Sequence, residues 1–239
     1  MRCKMKAFLV GIQLLCVQTL FGQASAIDSL KNYLKTEISD SATIVVYTEL
    51  SNQYKSVNLD SFKWCLEKAL AIKSCKECMA PRAEALLAYS MFKTSRKDSN
   101  AIELTFEALD IYKQLNNVDQ VANMLYEIGN QHIHLGNSTD GKIWLRKSIV
   151  YATKHNLNER KASALANMGY LFARSGIYDS AAVCLRTALE IDENDGKKSS
   201  QMALLNIGVV YFHSGNTEMA ITYYKRALER AIEENDERI

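Results

Sequence analysis

The chain has 239 residues, one proline and a formal net charge of +2. Residues 1–26 hold three basic and no acidic residues, so the 29 basic residues of the whole chain fall to 29 − 3 = 26 against 27 acidic ones. The remainder is weakly acidic, which excludes a large basic patch of the kind that binds nucleic acid.

The N-terminus has the three parts of a secretory signal peptide. Arg2, Lys4 and Lys6 precede the apolar stretch AFLVGIQLLCVQTLF, and the stretch GQASA then ends in a small-residue cleavage pattern at Ala26. The 15 residues of the apolar stretch fall short of the roughly 20 that a membrane span requires. We therefore expect a signal peptide over 1–26, cleavage near Ala26, export to the periplasm or the extracellular space, and no membrane span in this chain.

A lead-in helix is predicted over 27–41, and one pattern then recurs five times. Apolar residues within each copy are spaced by three and four, which is typical of α-helices. The last small residue of the pattern falls, in successive copies, at Ala69, Ala108, Ser148, Ala188 and Ala227. The period of 39 or 40 residues predicts an array of helix pairs. Their approximate bounds are 42–78, 79–118, 119–158, 159–197 and 198–239.

These copies resemble the tetratricopeptide repeat family from about residue 42 to the end. In the fourth copy the resemblance is carried by Leu165, Met168, Gly169, Phe172, Gly176, Tyr178, Ala181, Leu185 and Ala188. It implies an all-α solenoid of about five helix-turn-helix repeats, wound as a right-handed superhelix with a concave surface. The period exceeds the family's 34 residues, and the proline that follows the second helix in the family is missing.

The turns and caps agree with an all-α chain. No segment alternates apolar and polar residues over the length of a strand. Glycines stand where first helices should end, because glycine adopts a left-handed backbone most readily; they are Gly136, Gly176 and Gly215. Second helices are expected to be capped at Asp60-Ser61, Asp98-Ser99 and Asp179-Ser180.

Four cysteines follow the signal peptide. Cys75 and Cys78 lie in the stretch SCKEC between the first two repeats. A zinc site needs two further ligands at suitable spacing, and a thioredoxin-like centre needs a βαβ context. The sequence provides neither, so we expect a local disulfide or two unpaired thiols. Cys65 and Cys184 lie on apolar helix faces and are expected to pack in the core.

The histidines do not form a recognisable catalytic or metal-binding group. His132 and His134 are two residues apart, so on a helix they point in different directions. His132 also takes the aromatic position that Phe172 and Tyr211 take in later copies, which predicts a core role. No Ser-His-Asp grouping, phosphate loop or carboxylate pair stands out, and we expect no enzyme activity, no metal and no cofactor.

The family resemblance places ligand-facing residues on the first helix of each repeat, around its small-residue position. In this chain the candidate groove residues are Asn52, Ser90, Asn130, His134, Asn167, Tyr170, Arg174, Asn206 and His213. Asparagine amides can bond a peptide main chain from both sides, and Arg174 can form a fork onto a carboxylate. The alternative is that these asparagines bond neighbouring helices and that Arg174 is simply exposed.

Two functions are consistent with these patterns. The first is an exported, non-enzymatic interaction module that binds a protein or peptide partner in its concave groove. The second is the N-terminal sensor fragment of a longer membrane-bound signalling protein, because a signal peptide followed by long repeats resembles the extracytoplasmic regions of bacterial sensor kinases and membrane-tethered transcription regulators. In either case, the last repeat has no following helix to cover it, and self-association through it is a further prediction.

Overall fold

Helices make up all the regular secondary structure in the computed structural model, which describes residues 23–72, 75–196 and 201–236. Helix α1 (Gln23–Tyr33) is followed by five helix pairs. In chain order these are α2 (Asp40–Tyr54) with α3 (Leu59–Ala71), α4 (Met79–Ser95) with α5 (Ala101–Gln114), α6 (Val118–His134) with α7 (Ser138–Lys154), α8 (Asn158–Arg174) with α9 (Tyr178–Asn194), and α10 (Gln201–His213) with α11 (Thr217–Asp236). The prediction of an all-α solenoid of helix-turn-helix repeats is confirmed.

The chain divides into two compact units, with the boundary between Asn116 and Asn117. The first unit contains α1 to α5 and the second contains α6 to α11. Most of the predicted signal peptide, residues 1–22, lies outside the described residues. None of the described helices is long and apolar enough to cross a membrane.

In the first unit, the segment between α3 and α4 is held by polar contacts and a disulfide. Arg82 donates from Nη1 to the carbonyl of Leu70 at 3.0 Å, which satisfies a carbonyl at the end of α3. Cys75 and Cys78 form the disulfide, and Cys78 is buried in a cluster with residues of α2, α3 and α4. Cys65 is also buried, and burial raises the pKa of its thiol to about 11, as expected for a packing residue.

In the second unit, a glycine on each first helix allows the second helix of the pair to approach closely. A Cβ built on Gly169 would lie 2.7 Å from Leu185 Cγ and 3.2 Å from the carbonyl oxygen of Ala181. Gly129 faces its partner helix in the same way, and a Cβ on Gly208 would meet the ring of a tyrosine of α11 at 2.6 Å. The small-residue positions are therefore points of helix contact.

The turns inside the pairs use left-handed backbone conformations. Gly136, Gly176 and Gly215 have φ values of 88°, 73° and 83°, as predicted from glycine placement. In the first unit the corresponding position is Lys97, at φ 58°. A left-handed residue therefore ends the first helix even where glycine is absent.

The helix caps differ from the prediction. Asn58 and Asn137 cap α3 and α7, since each side-chain oxygen accepts a bond from the backbone N–H three residues later. Asp60 and Asp179 lie inside the first turns of their helices, where a carboxylate is favourable beside the positive end of the helix dipole. Asp98 precedes α5 and accepts from the N–H two residues later. Asparagine before the turn thus does the capping that we assigned to aspartate and serine.

Each unit contains one of the two tryptophans of the chain. Trp64 on α3 is 51% exposed and packs edge-on against Tyr47. Trp144 on α7 is half-buried, with the Nζ atom of Lys147 3.6 Å from its ring centroid.

Candidate functional site

The side chains that join α6 to α8 form what we call the polar ladder: Asp119, Asn123, Tyr126 and Asn130 on α6, with Arg160 and Asn167 on α8. Arg160 forms the first rung, because its Nε and Nη2 atoms donate to the two carboxylate oxygens of Asp119 at 2.8 and 2.7 Å. Its Nη1 atom donates to Asn123 Oδ1 at 3.1 Å. This two-pronged contact fixes the guanidinium in orientation, and it holds the pKa of Asp119 below its usual value.

Two asparagines form the second rung. Asn167 Nδ2 donates to Asn130 Oδ1 at 2.5 Å and to the hydroxyl of Tyr126 at 3.1 Å. Asn130 and Asn167 therefore join neighbouring helices, which is the alternative that the sequence left open for them. Both hydrogen bonds of Asn167 within the described part of the chain use its amide nitrogen, so its carbonyl oxygen is available to a ligand N–H group.

Glu127 lies beside the ladder on α6 and is half-buried. Burial raises the pKa of its carboxyl group, while a hydrogen bond from Asn130 and the charges of Arg160 and His134 oppose that rise. The carboxylate is thus the main negative group beside the ladder, and its ionisation is resisted by its surroundings.

The predicted residues at the ends of α8 and α6 are exposed. Tyr170 is 56% exposed, and the guanidinium carbon of Arg174 lies 5.7 Å from its ring centroid. The two residues are four positions apart and therefore share one side of α8. The aromatic ring holds the guanidinium at the surface, where it can pair with a carboxylate. His134 is exposed at the corresponding end of α6.

The predicted residues on α10 are also exposed. His213 stacks on Tyr178 of α9, with ring centroids 5.3 Å apart and an interplanar angle of 19°. Asn206 lies two turns earlier on the same side of the helix, and Val209 between them is 43% exposed. The three first helices of the second unit therefore present polar, basic and aromatic groups near the ladder.

The candidates in the first unit behave differently. Asn52 is exposed on α2, with its amide nitrogen 3.4 Å from a carboxylate oxygen of Glu49. Ser90 is fully buried, and its hydroxyl accepts a hydrogen bond from Thr105 at 2.9 Å. The prediction of Ser90 as a ligand-facing residue is therefore wrong.

The error at Ser90 is a shift of one residue in register. Thr105 lies 40 residues before Leu145, which faces Gly129 in the next pair, and Ser90 takes the place of that glycine. The turn between α4 and α5 is one residue shorter than the turn between α6 and α7. Counting backwards from the second helix therefore displaced the assignment, and Met91, 46% exposed, is the residue that corresponds to Asn130.

Sequence reasoning also missed Asp119, Tyr126 and Arg160. The only signal for them is the spacing of polar side chains along α6 at 119, 123, 126 and 130, in steps of four, three and four, which marks one helix face. No metal-binding group of three or more His, Cys, Asp or Glu residues occurs in 23–72, 75–196 or 201–236.

Family models for the tetratricopeptide repeat match two segments, residues 162–195 and 202–231. Tetratricopeptide repeat protein 29 from Trypanosoma brucei brucei is 24% identical over 161 residues, a stretch that covers 66% of this chain and 34% of that protein. Outer dynein arm-docking complex subunit 4 from Mus musculus is 28% identical over 125 residues, or 52% of this chain and 20% of that protein. The chain thus spans about a third or less of the length of these relatives.

The fold is also similar to the crystal structure of BtubC from P. vanneervenii, with a TM-score of 0.73, 18% identity and 89% of each chain covered. At this identity the likeness concerns the fold alone. The sequence matches and this shared fold support the tetratricopeptide repeat family for the chain, most directly at residues 162–195 and 202–231.

Proposed function

We propose that this protein is an exported interaction module that binds a peptide carrying an acidic group across the first helices of its second unit. Tetratricopeptide repeats suggest a protein–protein interaction module. The proposal adds the surface, the chemistry of the partner and the compartment. The module acts by binding and needs no cofactor.

The observation that carries the proposal is the recurrence of exposed recognition groups at one position of three successive first helices. His134, Arg174 and His213 each end their helix and are exposed. Arg174 is supported by the ring of Tyr170, so a carboxylate can approach a guanidinium that is already oriented.

The ladder supplies a rigid base for this surface. Its bonds join α6 and α8 through the Arg160–Asp119 pair and the Asn167–Asn130 pair. A binding surface whose supporting groups are held in place loses less entropy when a ligand binds. The Asn167 carbonyl oxygen can accept from a peptide N–H group, while Arg174 pairs with the acidic group.

Selection from a random-peptide display library tests the proposal. We expect the selected peptides to be enriched in Asp, Glu or a free C-terminal carboxylate. Arg174→Ala should weaken the binding of such a peptide at least tenfold, because a charge-assisted bond of about 1.5–3 kcal/mol is lost. Fluorescence anisotropy with the labelled peptide measures the effect.

Arg146→Ala is the matched control, since Arg146 is an exposed arginine on a second helix, α7. It should change the affinity less than twofold. Peptides without acidic groups, or equal losses from Arg174→Ala and Arg146→Ala, would contradict the proposed surface.

Export is the second part of the proposal, and it rests on the basic, apolar and small-residue segments of the N-terminus. We expect the chain to begin near Ile27 after secretion. Intact-mass measurement on the fraction outside the cytoplasm should show the loss of about 26 residues. Full-length protein found in the cytoplasm alone would contradict export.

A further inference from the structure

Helix α11 carries an exposed apolar stripe on the side opposite its buried residues. Ile221, Leu228 and Ile232 are 49%, 62% and 54% exposed, and Lys225 lies between the first two. The four residues are spaced by four, three and four, so they form one narrow line along the helix. We call this line the α11 stripe.

The preceding repeat shows that this position is normally an interface. Ala182 and Leu189 of α9 correspond to Ile221 and Leu228, 39 residues later, and they are only 4% and 5% exposed. They share one core cluster with Leu204 of α10. The α11 stripe thus continues an interface that is established between α9 and α10.

The sequence of the stripe indicates what covers it. The spacing four, three, four is the same in both directions along the helix, so two copies of α11 can pack against each other in antiparallel orientation. Ile221 then meets the partner's Ile232, and Lys225 meets the partner's Leu228. Such a two-fold arrangement is self-complementary, as a symmetric dimer requires.

Charge agrees with the same arrangement. In the antiparallel register the ammonium group of Lys225 comes next to the partner's Glu229, which follows the stripe by one residue, and both residues are exposed. The alkyl part of Lys225 can lie along the apolar seam while its charge stays at the edge. A parallel arrangement would instead place Lys225 against the partner's Lys225.

We propose that the α11 stripe is a homodimer interface, in which α11 packs antiparallel against the same helix of a second copy. The proposal is independent of the peptide-binding surface, because it uses a different helix and a different set of side chains.

Sedimentation velocity over a range of protein concentrations tests the proposal. The parent protein should show a concentration-dependent dimer, and Leu228→Asp should raise the dimer dissociation constant at least tenfold. Val150→Asp is the matched control, because Val150 is 63% exposed on α7 and lies outside the stripe. A monomer at all concentrations, or equal effects of the two substitutions, would overturn the proposal.

Cysteine cross-linking tests the orientation. A mixture of the Ile221→Cys and Ile232→Cys variants should form a disulfide-linked dimer, whereas each variant alone should not exceed the background of the parent protein under the same oxidation. Cross-linking of each variant with itself would show a parallel pair and overturn the antiparallel assignment. A dimer that resists Leu228→Asp and does not cross-link would place the interface elsewhere.

Discussion

The pairs α4–α5 and α8–α9 bring two helices into close contact by different chemistry. In α4–α5 the contact is polar, because the hydroxyl groups of Ser90 and Thr105 are buried and bonded at 2.9 Å. In α8–α9 it is apolar, because Gly169 leaves space for Leu185. The fold requires a small residue on the first helix, but it accepts either a hydrogen-bonded partner or a leucine on the second.

The two solutions should fail in different ways. The glycine contact is limited by volume, so added atoms are the threat. The hydroxyl contact is limited by hydrogen bonding, so the loss of either oxygen leaves a buried polar group without a partner it needs. Substitutions at these positions test the distinction.

Gly169→Leu should have the largest effect. The new side chain would collide with Leu185 and with the backbone at Ala181, and overpacking of this kind costs about 1–3 kcal/mol, occasionally more. Thermal or chemical denaturation followed by circular dichroism measures the loss. Val183→Ala, at a 55% exposed position of α9, should stay within about 0.5 kcal/mol of the parent, and a similar result for Gly169→Leu would contradict the assigned contact.

Ser90→Ala should have an intermediate effect. It removes the acceptor for the Thr105 hydroxyl, and an unsatisfied buried group costs about 1–3 kcal/mol. The double variant Ser90→Ala/Thr105→Val should lose less than the sum of the single variants, because neither hydroxyl then lacks the other. Strict additivity in denaturant unfolding would show that the two hydroxyls are not coupled.

The comparison can be sharpened by moving one solution into the other pair. Thr105→Leu alone should destabilise the fold by about 1–3 kcal/mol, because the site is closely packed. Adding Ser90→Gly should recover part of that loss, since the pair then has the glycine and leucine of α8–α9. No recovery would mean that the backbones of the two pairs differ at this contact.

Glu127→Gln should have the smallest effect, and it should be stabilising at neutral pH. The pKa of Glu127 is higher in the folded chain than its ordinary value of 4.5, so the ionised carboxylate opposes folding above that pKa. The gain should fade as the pH drops through the folded pKa and vanish below about 4.5.

The measurement for Glu127→Gln is the melting temperature between pH 4 and 8. We expect a rise of less than about 4 °C at neutral pH. Glu77→Gln, at an exposed position, is the control. A gain that persists at pH 4 would show that ionisation of Glu127 is not its cause.

The repeat period and the helix spacing were sufficient to predict the five helix pairs. The small-residue positions at Gly129, Gly169 and Gly208 could also be predicted, because stacked helices require them. The position of Ser90 could not, since a turn shortened by one residue changes the register without changing the apolar pattern. A sequence shows which residues are small, but not the length of each turn.

The candidate surface was less predictable than the fold. The exposure of Tyr170 and Arg174 followed from their place on α8, whereas the bond between Asn130 and Asn167 depends on how α6 and α8 pack. The same holds for Arg160 and Asp119, which are 41 residues apart. Contacts between repeats depend on three-dimensional stacking, for which spacing within one helix is only a partial guide.

The distribution of the tryptophans gives each unit its own optical signal. Trp64 is the only indole in the first unit, and Trp144 is the only one in the second. Trp64→Phe leaves a protein whose indole emission comes from the second unit alone, and Trp144→Phe leaves emission from the first. The two emission curves, recorded during unfolding, will show whether the halves of the chain melt as one cooperative body or one after the other.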